Sequence, residues 1–132
     1  MKKRNSKCEF ASERSELLLR NFRESIARQS RISLQHALKD AVEAPAPRFW
    51  VSEARATRVI TLLMKGVDIL DGMHPEKQKM YREIYSRVMK IKKTNPDLPI
   101  GDIVFEVVNS PAPCSFITAG SARNLIYLQK RK

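Results

Sequence analysis

Glycine is scarce in this chain and never clustered: Gly66, Gly72, Gly101 and Gly120 are the only four among 132 residues. A phosphate-cradling loop needs several glycines close together so that the backbone can wrap its ligand, and no stretch here qualifies. Cysteine is scarcer. Cys8 and Cys114 stand far apart with no ligand spacing around them, which argues against both a secreted disulfide framework and a zinc site. Beside Lys7, the Cys8 thiol reads as a spare exposed group. His36 and His74 form no HxxxH pair, and each reads as a surface or capping side chain rather than a metal ligand. No apolar run approaches the roughly 20 residues that span a bilayer, and no apolar segment follows the basic start. The expectation is a cytoplasmic protein with no membrane partner, no metal and no cofactor.

Catalytic constellations are missing too. Glu24 lies at helical spacing from Arg20 and Arg28, as a solvated charge pair would, and Ser115 and Ser121 have no histidine near them in sequence. The chain reads as a binding protein, not an enzyme.

Negative charge is the last shortage. Against 25 Lys and Arg there are only 14 Asp and Glu, for a formal net charge of +11 and a pI near 10.1. Such a surplus suits polyanions, nucleic acid first, because each neutralised phosphate releases condensed counterions. Part of it lies at the ends, where Lys2, Lys3, Arg4 and Lys7 open the chain and Lys130, Arg131 and Lys132 close it. Residues 1–11 and 130–132 are therefore expected to be basic flexible tails able to grip phosphate.

What is present is a phrase used twice. A shift of 66 positions lays Pro45-Ala46-Pro47 on Pro111-Ala112-Pro113, Trp50 on Phe116, Ser52 on Thr118, Ala56 on Ala122 and Ile60 on Ile126. Upstream, Ile32, Leu34, Ala37, Leu38, Ala41 and Val42 fall on apolar residues at the same offset. The fold class this predicts is all-α, a tandem duplication of a three-helix unit packed into one compact bundle. Unit one covers 12–66, a linker 67–74, and unit two 75–129.

Apolar spacing and punctuation place the helices. The first runs from a Ser12 cap to Arg28; the second starts at Ser33 and ends at the PAP phrase, since proline disfavours helical geometry in the residue before it. Ser52 caps the third, which stops at Gly66. Pro75 opens the fourth, a fifth covers 101–108, and Thr118 caps the sixth. Pro45, Pro47, Pro111 and Pro113 thus form two structural joints, with Trp50 and Phe116 expected to anchor them in the core.

The helix after each joint offers the binding signal. "VSEARATRVI" has Ser52 as cap, Arg55 and Arg58 on the outer side, and Ala56 and Ile60 facing inward. Over residues 33–64, and by repetition 99–129, the chain resembles the helix-turn-helix DNA-binding superfamily, departing from it in a longer turn with two prolines. The resemblance implies that the helix after the PAP turn is a recognition helix, with Arg55 and Arg58 reaching guanine edges or phosphates and Thr57 a phosphate. In the second copy Arg123 and Asn124 hold the matching positions.

Further basic residues are Lys77, Lys79, Arg82, Arg87, Lys90, Lys92 and Lys93, spread by spacing over more than one helix face. Lys90, Lys92 and Lys93 cluster at a helix C-terminus and are the best internal phosphate candidates; the alternative for them is to complement the helix dipole. The partner favoured is double-stranded DNA ahead of RNA, since the aromatic residues fall at core spacing and form no stacking platform. A helical assembly module with a protein partner, or a homodimer, is the reading from a different class.

Overall fold

The computed structural model describes residues 6–131, with side chains from Phe10 onward. Lys2, Lys3 and Arg4 lie outside the described residues. Six helices follow one another: α1 Ser6–Arg28, α2 Leu34–Glu43, α3 Glu53–Met64, α4 Pro75–Thr94, α5 Ile100–Val108 and α6 Ala119–Lys130. The protein is all-α.

Most helix ends obey local rules. Ser33, Ser52 and Thr118 each accept a hydrogen bond from the backbone N–H three residues on, and His74 caps α4 through Nδ1 with Pro75 in its first turn. α3 closes on Gly66, whose φ of 84° is the left-handed conformation glycine adopts without strain. The Gly66 N–H donates to Leu63 and the Val67 N–H to Leu62, a Schellman closure. Two boundaries differ from expectation. α1 begins at Ser6, not at a Ser12 cap, because neither glycine nor proline interrupts the intervening residues, so half of the expected tail is helical. α5 begins at Ile100, one residue before the expected 101, directly after Pro99 and with no side-chain cap.

Two compact units emerge, and they divide the chain elsewhere than at 67–74. One comprises residues 1–46 and 113–132, the other residues 47–112. In the first, α1, α2 and α6 pack mutually. Leu18, Phe22, Ala37, Ala41, Ala122 and Ile126 are its buried centre. Ser25 Oγ donates to Asp40 Oδ2 at 2.6 Å, linking α1 to α2. In the second unit α5 packs on both α3 and α4. Ala56, Ile60, Ile84, Val88, Ile103, Val104 and Val108 are all buried there, and the 67–74 segment is the internal α3–α4 connection with Leu70 buried. Each pair of helices thus takes its third helix from the other half of the sequence.

The PAP phrases mark where the chain passes from one unit to the other. Their alanines, Ala46 and Ala112, are buried while all four prolines are exposed. One backbone bond recurs at the repeat offset: the Phe49 N–H donates to the Val108 carbonyl at 3.0 Å, and the Ser115 N–H to the Val42 carbonyl at 3.1 Å. That bond decides the anchor. It turns Phe49 fully inward, whereas Trp50 and Phe116, the expected anchors, are only half-buried. Phe116 holds φ at 52°, a left-handed conformation that costs a bulky side chain about 1–3 kcal/mol.

Ser115, the counterpart of Phe49, is buried with its Oγ lacking a hydrogen-bond partner among the described residues. A buried unsatisfied hydroxyl carries its desolvation penalty with no return, so Ser115→Ala is expected to leave stability unchanged or raise it by about 1 kcal/mol. Urea unfolding measures this, and a loss above about 1 kcal/mol would reveal a partner for that hydroxyl.

Candidate nucleic-acid interface

The second unit, residues 47–112, concentrates the internal basic candidates. Helix α3 presents Arg55 and Arg58 to solvent from its first two turns, with Lys65 exposed just past its end. None of the three has an ion-pair partner among the described residues. Arg55 also reaches the neighbourhood of Tyr81 on α4: burial pushes the Tyr81 hydroxyl upward in pKa, and the positive charge of Arg55 pulls it partly back. Thr57 is turned differently from the sequence expectation. Its Oγ1 donates to the Glu53 carbonyl at 2.7 Å inside the helix, which removes its hydroxyl proton from phosphate recognition.

The start of α3 is pinned by a polar cluster. Arg48 donates to the carbonyls of Phe49 and Val51, each at 2.9 Å, and to Asn109 Oδ1 at 3.1 Å. Asn109 Nδ2 in turn donates to Glu53 Oε2 at 3.0 Å. Arg87 ties α4 to the same corner: Nε meets Glu83 Oε2 and Nη1 meets the Pro111 carbonyl, both at 2.8 Å, with the guanidinium 5.1 Å from the Phe49 ring centre. Arg48 and Arg87 are therefore structural, despite their charge. In a helix-turn-helix the recognition helix is braced by the helix just before it; α3 is braced by α5 and α4.

The Asn109 bond, the backbone and then the charge of Arg48 hold the Glu53 carboxyl below its ordinary value of 4.5. A depressed carboxyl stabilises the fold above its unfolded-state pKa, and that increment fades as pH falls through the folded value. Asn109→Ala should let Glu53 rise toward 4.5, and the stability gap from the wild type should narrow as the solution is acidified. A carboxyl-carbon NMR titration reads the first effect; an unmoved midpoint would show that Asn109 is not the cause.

Helix α4 carries the arrangement that sequence spacing left unresolved. Burial removes Lys77, Arg87 and Lys92 from the fully exposed set, and the exposed positions in the helix body are Lys79, Arg82, Ser86, Lys90 and Lys93. At about 100° per residue these five share one face, with two cations at each end and a small hydroxyl between. Lys79 pairs with Glu76 at 3.2 Å and Arg82 donates to Gln78 at 3.0 Å, both exposed interactions of small strength. Lys90 and Lys93 have no ion-pair partner among the described residues. Lys92, expected with them, is spent elsewhere: its Nζ donates to the carbonyls of Pro96 at 2.7 Å and Leu98 at 2.8 Å, fastening the loop into α5.

Comparison with protein-family models, curated proteins and solved structures finds no match. The site's own geometry is accordingly the basis for a functional reading.

Arg123 and Asn124 are exposed on α6, in the other compact unit, and so are not part of the α3–α4 set. The Arg123 guanidinium lies 5.5 Å from the Tyr127 ring centre. Among the described residues, no three metal-ligating side chains gather and no helix is long and apolar enough to cross a membrane.

Proposed function

We propose that the protein binds double-stranded DNA through the 47–112 unit, as a transcriptional regulator or DNA-architectural accessory factor in the cytoplasm. The observation that carries the reading is the two-ended basic face of α4. Arg82 and Lys90 are eight residues apart on that face, about 12 Å along the axis. The major groove of B-DNA is about 12 Å wide, so the Lys79–Arg82 end and the Lys90–Lys93 end can each meet the phosphates of one strand. Arg55 and Arg58 on α3 supply further cations from the same unit, for phosphate or guanine. The reading keeps α3 as the base-contacting helix and gives the backbone-positioning role to α4.

Four to six phosphate contacts correspond to a slope of log affinity on log salt of about −4 to −5, a loss of roughly two to three orders of magnitude between about 50 and 200 mM salt. Fluorescence anisotropy with a random-sequence duplex measures it, with a single-stranded RNA of equal length as competitor. No binding at low salt, or RNA displacing the duplex at equal concentration, would end the duplex reading. Lys92→Ala is the internal control: its bonds to Pro96 and Leu98 are structural, so stability should fall by about 1 kcal/mol while the salt slope stays as in the wild type.

A further inference from the structure

The 1–46 and 113–132 unit contains a groove of about 420 Å³ between α1, α2 and α6. Its walls are apolar, formed by Phe22, Leu34, Leu38, Ile126 and Tyr127. Leu34 is 53% exposed and Tyr127 42%, so well-placed apolar surface is left to water at its edge. Two polar side chains line it, the neutral amide of Gln35 and one charged group, the guanidinium of Arg123. Arg123 stands at the rim, held over Tyr127, and the Lys130 ammonium lies 5.7 Å from the centre of the same ring.

Ala119 and Gly120, also lining the groove, open α6, and neither N–H has a partner among the described residues. Helix α6 contains no acidic residue, and none is among the described residues that line the groove. The other unit shows what such a helix end accepts. At the repeat offset, the position of Ala119 is held in α3 by Glu53, whose carboxylate sits in the first turn and is bonded by Asn109. The α6 end has the cationic rim and the apolar walls without a carboxylate of its own.

We infer that this groove binds a small amphiphilic carboxylate, an alkyl or aryl acid whose apolar body of about ten non-hydrogen atoms fills the cleft. Its carboxylate meets Arg123 and the opening N–H groups of α6. The volume is too small for a docked helix, and Arg123, the one charged group of the lining, selects an anion over a cation. This activity is separate from duplex binding and uses the other unit.

The test is a titration of the full chain with decanoate, followed by amide NMR, with decylammonium and a short peptide ending in leucine as comparisons. Decanoate should saturate below about 1 mM and shift the Ala119 and Gly120 amides, leaving Gly66, Gly72 and Gly101 unmoved. Decylammonium should bind at least about tenfold more weakly, and Arg123→Gln should weaken decanoate by about five- to tenfold. A Cβ at Gly120 meets nothing within 4 Å, so Gly120→Leu should fold normally, confirmed by circular dichroism, while its side chain obstructs the groove and removes the Ala119 response. Equal binding of decylammonium, an unmoved Gly120 amide, or wild-type binding by Gly120→Leu would overturn the assignment. Tighter binding of the peptide than of decanoate would replace a small acid with a protein terminus as occupant.

Discussion

Reversing two charges, Lys90→Glu with Lys93→Glu, is expected to cost duplex affinity about a hundredfold at about 0.1 M salt and to flatten the salt slope by about 2. The size follows from counterion release. Each phosphate contact contributes about 0.9 to the slope, hence about 0.9 log units at 0.1 M salt, and two lost contacts give about 60-fold before repulsion is added. Both side chains are exposed and have no ion-pair partner among the described residues, so the cost to the fold should be confined to the reversed charge of Lys93 in the last turn of α4, about 1 kcal/mol. Arg55→Ala with Arg58→Ala supplies the complementary comparison: if α3 reads bases, that pair should reduce discrimination between duplex sequences more than it reduces the slope. Anisotropy across a salt series, with thermal melting of each variant, checks both. Retained affinity in the doubly reversed protein would remove α4 from the interface and, with it, the geometric argument for a duplex.

The features that the amino-acid order revealed are those whose causes are local. Ser33, Ser52 and Thr118 cap because an oxygen on the preceding residue reaches the first turn, and Gly66 closes α3 because only a left-handed residue can do so without strain. The inward positions Ala56, Ile60, Ala122 and Ile126 followed from 3.6-residue spacing, and all four are buried. Partnership between helices was not readable. α3 and α6 present nearly the same Ala-x-x-x-Ile inner stripe, so spacing cannot tell which pair of helices each completes. The α4 face was hidden for a related reason. Its seven basic residues occupy several sides of the helix, and spacing alone assigns neither Arg87 to the distant Phe49 ring nor Lys92 to the Pro96 and Leu98 carbonyls of the loop that follows. With those two and the half-buried Lys77 withdrawn, the remaining four cations fall into register. The groove beside Arg123 joins residues from three helices and has no signature in any one of them.

Phe49→Ala should be the most damaging single truncation at the PAP joint, at about 3–5 kcal/mol, while Trp50→Ala next to it should cost clearly less. From residue type alone the order would be the reverse, because Trp is larger and buries more area on average. The structure inverts it through one hydrogen bond. With its N–H on the Val108 carbonyl, Phe49 places its ring fully inside the 47–112 unit, beneath the guanidinium of Arg87, whereas Trp50, one position on, is half-buried. Removing the ring leaves a cavity at the meeting point of the α3 start and the α5 end, and takes away the surface on which Arg87 rests. Small domains have only about 5–15 kcal/mol of net stability, so the loss would be a large fraction of the total. Urea unfolding of the two variants side by side measures the difference, and a Trp50→Ala cost equal to or above that of Phe49→Ala would mean that the joint is anchored by its tryptophan after all. The same experiment bears on the interface, because α3 is oriented from this corner: a Phe49→Ala protein that remains folded at low temperature should bind duplex more weakly although every cation is intact.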